Sequence, residues 1–150
     1  MIRKEDILSI EKLLNNKKIV YNELLSNSFG INCIKFLTND KKKYIAKYYI
    51  EKSLDFNAIK SETRNLIFLN NLGLEFFPSI VSDDKKFIII SFIENNGVQP
   101  HETRKDLLRA ITTLHSIKNN HYGFGFETQI GGLRQKNSLS DNWVNFYRDY

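Results

Sequence analysis

The sequence predicts an α+β fold in which a five-stranded antiparallel sheet packs against one helix. The first observation is a set of three stretches rich in aromatic and β-branched residues, joined by turns so short that neighbouring strands must run antiparallel. The second is an amphipathic helical stretch followed by two more strand-like stretches. In chain order we predict a helix at residues 4–16, strands at 19–27, 31–38 and 42–50, a helix at 55–72, and strands at 79–82 and 86–93.

Composition and charge exclude several classes of protein. Of the 150 residues, 41% are hydrophobic and 26% are charged, as in a globular domain. The sequence has no run of 18 apolar residues, so we predict no membrane span. Lysine and arginine (22) exceed aspartate and glutamate (17) by 22 − 17 = 5, but both signs are mixed along the chain, so we predict no nucleic-acid partner. The single cysteine and the absence of a signal-peptide pattern predict a cytoplasmic location.

The strand at 42–50 carries a lysine at its centre. With period two, Ile45, Lys47 and Tyr49 share one face, and neither face is purely polar, so we expect both faces to be covered. An ammonium group in that position needs an anion or a path to water. Two interpretations stay open from this strand alone, because Lys47 either reaches solvent from an edge strand or binds phosphate.

The helix at 55–72 offers an anion for this lysine. Its residues Ile59, Glu62, Leu66 and Leu69 fall on one stripe at spacings of three and four. This places a carboxylate within an apolar face, where an unpaired charge is costly. We therefore predict an ion pair in which the Nζ atom of Lys47 lies within about 4 Å of Glu62. The alternative is a helix rotated so that Glu62 reaches solvent.

The turn around Phe29-Gly30 is a second candidate phosphate contact. Its small residues could bring backbone N–H groups close to a phosphate, although a plain hairpin turn is the alternative because Gly30 is a single glycine. Cys33, which follows this turn, is expected to be a small buried strand residue. Lys86 lies at a strand edge beside another turn, and its replacement by alanine is expected to matter little for activity, unlike that of Lys47.

A further amphipathic helix is predicted at 102–117. Its apolar stripe is expected to face inward, with the members Leu107, Leu108, Ile111, Leu114 and His115. No other metal-ligating residue lies at a suitable spacing from His115, so we interpret it as a packed histidine at the helix end.

The order of these features resembles the N-terminal lobe of the protein-kinase-like fold. That lobe has a strand with a central lysine, followed by a helix with an inward glutamate. The resemblance implies that Lys47 binds the α- and β-phosphates of ATP and that Glu62 holds the lysine in place. It also implies further nucleotide contacts, namely Gly30 in the loop over the phosphates, Ile45 against the adenine ring, and the main chain of Ser91 and Ile93 along the adenine edge.

The closing stretch is similar to the fructosamine-kinase (ketosamine-3-kinase) family. The similarity rests on Gly-Phe at 123–124, Ile-Gly-Gly at 130–132, Gln-x-Asn at 135–137 and Trp-x-x-Phe-Tyr at 143–147, in this order and spacing. It implies an ATP- and Mg²⁺-dependent kinase that phosphorylates the sugar 3-hydroxyl of a small-molecule or protein-bound ketosamine. Candidate substrate-site residues are Gly131, Gln135 and Asn137.

Two residues depart from the family pattern in this stretch. Arg134 stands where the family usually has proline, and Leu139 stands where it usually has tryptophan. Both positions bear on substrate choice. Another small-molecule kinase of the same fold, acting on an aminoglycoside or an amino alcohol, is therefore the alternative among enzymes.

The family's catalytic machinery is not found in this sequence. It contains no His-Gly-Asp loop, and we expect that loop and the Mg²⁺ ligands to lie beyond Tyr150. We predict an N-terminal kinase-like lobe at 1–93, a hinge at 94–100 and the start of a helical C-terminal lobe at 101–150. The 150-residue chain alone is expected to be inactive, and a non-catalytic nucleotide-binding remnant is the remaining alternative.

Overall fold

The chain is described by a computed structural model over residues 2–50, 56–95, 97–98, 101–130 and 133–149. It divides into two compact units, Met1–Ile93 and Glu94–Tyr150. Whether residues 94–100 act as a hinge stays a prediction. None of the helices in the described ranges has the length and apolar character needed to cross a bilayer.

The described residues of the first unit form two helices and one sheet whose strands differ in length. Its elements are α1 (Lys4–Leu13), β1 (Ile19–Ser28), β2 (Ile31–Thr38), β3 (Lys43–Tyr49), α2 (Ala58–Asn71), β4 (Ile80–Asp83) and β5 (Phe87–Ser91). The five strands lie in the order β1-β2-β3-β5-β4, and every neighbouring pair is antiparallel. The predicted α+β fold with a five-stranded antiparallel sheet is confirmed.

The sheet has a hydrophobic cluster on each face. On one face Ile10 of α1 packs with Ala46 and Tyr48 of β3. On the other face Ile59 of α2 packs with Ile45 of β3. The alternation of β3 therefore sends consecutive residues to opposite clusters, and both faces of this strand are covered as predicted. The helix predicted on the sheet is α2, while α1 covers the opposite face.

The face that α1 covers also contains a buried carboxylate. Asp6 is 2% exposed and accepts ion-paired contacts from Arg3 at 2.8 Å and from Lys86 at 2.5 Å. The Lys86 ammonium also lies over the rings of Tyr48 and Phe87, 5.5 and 4.8 Å from their centroids. This structural role of Lys86 was not foreseen, because a contact across 80 positions of sequence leaves no local signature. That Lys86→Ala matters little for activity stays a prediction.

The second unit consists of two helices and a short hairpin. Its elements are α3 (His101–Ser116), β6 (Thr128–Ile130), β7 (Leu133–Gln135) and α4 (Trp143–Asp149), and β6 pairs antiparallel with β7. The predicted inward stripe of α3 is wrong, since Leu107 and Leu108 are 59% and 64% exposed and His115 is exposed as well. An amphipathic pattern identifies the face that is suited to burial, but burial also requires a partner.

Candidate nucleotide-binding site

Lys47 and Glu62 form an ion pair on the α2 face of the sheet. The Lys47 Nζ atom lies 2.5 Å from Glu62 Oε1. The lysine side chain is 28% exposed and the glutamate side chain 25% exposed, so the pair is half-buried. The predicted contact is present, and Glu62 does not rotate to solvent. Partial removal from water strengthens electrostatic interactions of this lysine with any anion that approaches it.

The start of α2 is fixed to β3 close to the ion pair. The Tyr49 hydroxyl donates a hydrogen bond to the Phe56 carbonyl (3.2 Å) and accepts one from the Ala58 N–H (2.8 Å). Asn57 caps the helix, because its side-chain oxygen accepts a hydrogen bond from the Lys60 N–H at 2.9 Å. Sequence reasoning missed both contacts, although Asn57 before an amphipathic stretch is a recognisable capping signal. They set the position of Glu62, which lies about one turn further along the helix.

The helix is held against the sheet by its apolar stripe. Ile59 is 2% exposed and Leu66 is 6% exposed, and both pack with Ile45, which is 9% exposed. Because Glu62 lies between these two anchors on the same stripe, its carboxylate faces the sheet. The geometry of the ion pair thus follows from the spacing of the buried residues.

The β1–β2 turn is connected to the end of β3. Phe29 and Gly30 have positive φ angles of 53° and 73°. A Cβ atom at Gly30 would have no neighbouring heavy atom within 4 Å, so the space above the turn is open. The Gly30 carbonyl accepts a hydrogen bond from the Ile50 N–H at 2.9 Å. β3 therefore carries Lys47 and, through the Ile50 N–H just beyond its end, also contacts the turn. An open turn of this kind leaves room for a phosphate group.

Cys33 lies next to the ion pair. It is directly opposite Lys47 in the β2–β3 register and is half-buried rather than fully buried. Burial raises the pKa of the Cys33 thiol, while the nearby Lys47 ammonium opposes this shift and the Glu62 carboxylate adds to it. A thiol with a raised pKa is a poor nucleophile at neutral pH. Cys33 packs against the hydrophobic cluster on the α2 face of the sheet.

The far end of β5 contains the residues expected at the adenine ring. Ser91 lies opposite Tyr44 in the β3–β5 register, next to the pair of Ile45 with Ile90. The Ser91 hydroxyl accepts a hydrogen bond from the Ser79 N–H at 3.0 Å, so this side chain has a structural partner in the sheet. Ile93 is 52% exposed. Adenine binding by these residues stays a prediction.

Two lysines that sequence reasoning did not single out lie near this end of the sheet. The Lys35 and Lys43 ammonium groups are 5.1 and 5.8 Å from the centroid of the Phe92 ring. Lys35 also pairs with Glu23 at 3.6 Å. The alternation of β2 places Lys35 on the same face as Cys33, so period two could have indicated its position.

Two of the predicted substrate-site residues hold the hairpin of the second unit. The Thr128 hydroxyl donates to Gln135 Oε1 at 3.0 Å, and Asn137 Nδ2 donates to the Thr128 hydroxyl oxygen. Asn137 is 5% exposed, and its carbonyl accepts the Phe124 and Gly125 N–H groups at 3.2 and 3.0 Å. Gly131 lies outside the described residues. These contacts are structural, and a substrate role for Gln135 and Asn137 stays a prediction.

The candidate site fits a nucleotide better than it fits a metal ion. A half-buried lysine held by a glutamate, beside an open turn, suits the negative charge of phosphate groups. By contrast, no three His, Cys, Asp or Glu side chains among the described residues are grouped so that they could hold a metal ion. The described residues therefore contain no metal site built from protein ligands alone.

Comparison with known proteins identifies relatives that match most of the chain. The sequence model for the fructosamine kinase family matches residues 10–150. No curated protein matches the sequence. The fold is similar to the crystal structure of a "putative fructosamine-3-kinase" from Thermobifida fusca YX-ER1, with a TM-score of 0.78 and 14% identity over 95% of this chain and 49% of that chain.

A second crystal structure gives the same result. A protein of the same printed name from Haemophilus somnus 129PT has a TM-score of 0.74 and 16% identity, again over 95% of this chain and 49% of that chain. At these identities the two structures establish a shared kinase-like fold. The chain spans about half the length of both.

Proposed function

The chain belongs to the fructosamine kinase family, and from this premise we propose that it is the N-terminal part of an ATP-dependent small-molecule kinase. The observation that carries the proposal is the half-buried ion pair between Lys47 and Glu62, with its 2.5 Å contact. Phosphoryl transfer depends mainly on positioning and on neutralising phosphate charge, and a lysine oriented by a helix glutamate supplies both.

In the proposed site each residue has a separate role. Lys47 holds the α- and β-phosphates of ATP, and Glu62 fixes the lysine in the orientation in which its ammonium faces them. Gly30 belongs to the turn over the phosphates, where its lack of a side chain leaves space. Ile45 lies against the adenine ring, and the main chain from Ser91 to Ile93 follows the adenine edge.

ATP supplies the phosphoryl group, and we propose that the acceptor is the sugar 3-hydroxyl of a small-molecule or protein-bound ketosamine, in the cytoplasm. Phosphorylation at that position destabilises the adduct so that the amine is released. Gly131, Gln135 and Asn137 are proposed to border the acceptor. The acid that activates the hydroxyl and the Mg²⁺ ligands are proposed to lie outside this chain, since its described residues contain no cluster of three ligating side chains.

A nucleotide-binding protein without phosphotransfer activity is a second candidate function. The observation behind it is the same ion pair between Lys47 and Glu62, which can neutralise phosphate charge without transferring a phosphoryl group. Such a protein would retain the contribution of Lys47 to nucleotide affinity but would release no ADP.

The test uses a polypeptide in which a C-terminal lobe follows Tyr150, with ADP release measured on ribulosyl-lysine, fructosyl-lysine and an aminoglycoside. We expect Lys47→Ala to reduce turnover roughly a hundredfold, because loss of one charged contact to the phosphates costs about 3 kcal/mol. Glu62→Ala should have a smaller effect in the same direction, because it acts only through Lys47. Lys60→Ala removes an exposed lysine from the same helix and is the matched control.

Three outcomes of this test separate the candidates. Equal turnover for Lys47→Ala and the wild type contradicts the proposed site. Turnover that depends on Lys47 with an aminoglycoside but not with a ketosamine identifies the alternative substrate class. Nucleotide binding without ADP release on any acceptor supports the non-catalytic function.

A further inference from the structure

The β1–β2 turn is a conformation that requires support from its neighbours. Phe29 and Gly30 both have left-handed backbone conformations, as in the two-residue turns that join hairpin strands. Glycine adopts this conformation freely, but a residue with a Cβ atom does so at a cost. The Phe29 side chain is 73% exposed, so its own packing offsets little of that cost. Contacts of the flanking residues must therefore hold the turn.

Two asparagines directly behind the turn make such contacts. Asn27 and Asn32 are opposite one another in the β1–β2 register. The Asn27 amide nitrogen donates a hydrogen bond to Asn32 Oδ1 at 3.2 Å, and the Asn32 amide nitrogen donates to the Tyr48 hydroxyl at 3.2 Å. The oxygen of the Asn32 carboxamide thus accepts a hydrogen bond from β1 and its nitrogen donates one to β3, and these two contacts fix the orientation of the carboxamide.

The Tyr48 end of this network is firmly anchored. Tyr48 is 1% exposed, and its ring packs against Phe87 with centroids 4.9 Å apart. Burial raises the pKa of the Tyr48 hydroxyl, and the Asp6 carboxylate of α1 adds to the shift. Asp6 is itself buried and paired with Arg3 and Lys86. The hydrogen bonds from Asn27 through Asn32 to Tyr48 therefore connect the turn to β3. Lys86, which pairs with Asp6 of α1, lies over the Tyr48 ring at 5.5 Å from its centroid.

We propose that Asn32 and Tyr48 are positioning residues that hold the β1–β2 turn over the nucleotide and thereby set nucleotide affinity from the α1 face of the sheet. This inference rests on the proposed function. Lys47 and Tyr48 are consecutive in β3, so this strand presents its lysine to the phosphates on one face and supports the turn from the other. The hydrogen bond from the Ile50 N–H to the Gly30 carbonyl, 2.9 Å long, completes the connection between strand and turn.

The test compares Tyr48→Phe with Tyr21→Phe in the 150-residue chain. Both changes delete one hydroxyl, but Tyr21 is 55% exposed and lies outside the network. Amide hydrogen exchange at Ile50, followed by NMR without nucleotide, reports on the turn directly. We expect exchange at Ile50 to rise about fivefold in Tyr48→Phe and the dissociation constant for MgATP to rise about fivefold, which corresponds to about 1 kcal/mol. Tyr21→Phe should change neither quantity.

A double variant separates positioning from a general loss of stability. Asn32→Ala removes both hydrogen bonds of the network, so adding Tyr48→Phe to it should change MgATP affinity by less than Tyr48→Phe does alone. Additive effects, unchanged Ile50 exchange in Tyr48→Phe, or faster exchange with unchanged MgATP affinity would each overturn the inference. If MgATP causes no spectral change in the wild type, the proposed function fails together with the nucleotide part of this inference, and Ile50 exchange alone then decides whether the network holds the turn.

Discussion

Replacing Lys86 by alanine should destabilise the first unit, although the residue lies beside a turn. Its ammonium group is 2.5 Å from Asp6 Oδ1, and the Asp6 side chain is 2% exposed. Arg3, at 2.8 Å, is the other cation that this carboxylate contacts. The change therefore leaves a buried charge with half of its cationic partners.

The structure sets the magnitude between two limits. Complete loss of the partner of a fully buried charge costs about 3–5 kcal/mol, whereas an exposed ion pair contributes about 0–1 kcal/mol. Lys86 is 40% exposed and Arg3 remains, so we expect the ion pair to contribute about 1 kcal/mol. The ammonium over the Phe87 and Tyr48 rings adds about 0.5–1 kcal/mol. The free energy of unfolding should fall by about 1.5–2 kcal/mol in total.

Urea unfolding followed by circular dichroism measures this loss, with Lys85→Ala as the matched control. Lys85 is the neighbouring exposed lysine, and its removal should change the free energy of unfolding by less than about 0.5 kcal/mol. The difference in free energy of unfolding between the wild type and Lys86→Ala should become smaller in acid, because protonation of Asp6 removes the negative charge that Lys86 contacts. Equal losses for Lys85→Ala and Lys86→Ala near pH 7 would refute the reasoning.

Three further predictions concern pH and two local contacts. Hydrogen bonds from Lys17 and from Thr38 lower the pKa of Asp40 to about 2. The ionised carboxylate therefore stabilises the fold above the ordinary aspartate pKa, and this contribution is lost as the pH falls towards the lowered pKa. An acid titration in which Lys17→Ala unfolds at the same pH as the wild type would contradict this. Tyr49→Phe removes both hydrogen bonds to the start of α2 and should lower the free energy of unfolding by about 1–2 kcal/mol, as measured in urea. Gly123→Ala places a Cβ atom 2.5 Å from a carbonyl oxygen, whereas the new Cβ atom in Gly97→Ala meets no atom within 4 Å, although both glycines have positive φ. Gly123→Ala should therefore lower the free energy of unfolding by about 2 kcal/mol more than Gly97→Ala does. Equal losses in urea unfolding would show that backbone strain alone decides the effect.

The elements of the first unit could be predicted because alternation and short turns are local signals. The strand at Ile31–Thr38 has the predicted bounds, and α2 lies within the predicted stretch. The contact between Lys47 and Glu62 was predictable because two independent periodicities, one of a strand and one of a helix, place complementary charges on facing surfaces. Neither periodicity alone identified a partner for its charged residue, and only the two together indicated the contact.

The remaining features depend on contacts that no local pattern encodes. The position of α1 could not be predicted, because an amphipathic helix requires a partner without specifying which one. The pairing of Asp6 with Lys86 joins residues at opposite ends of the first unit. The stripe of α3 shows the converse, since Leu107 and Leu108 fit a buried face but remain exposed.

Titration of the ¹⁵N-labelled chain with MgATP, followed by NMR, tests most directly whether Lys47 and Glu62 form a nucleotide site. We predict weak binding with spectral changes at the amides of Gly30 and Lys47. Affinity should fall about tenfold or more in Lys47→Ala, because the phosphates lose a half-buried charged contact, and should be unchanged in Lys60→Ala. The same affinity and the same pattern of spectral changes in Lys47→Ala as in the wild type would contradict the account.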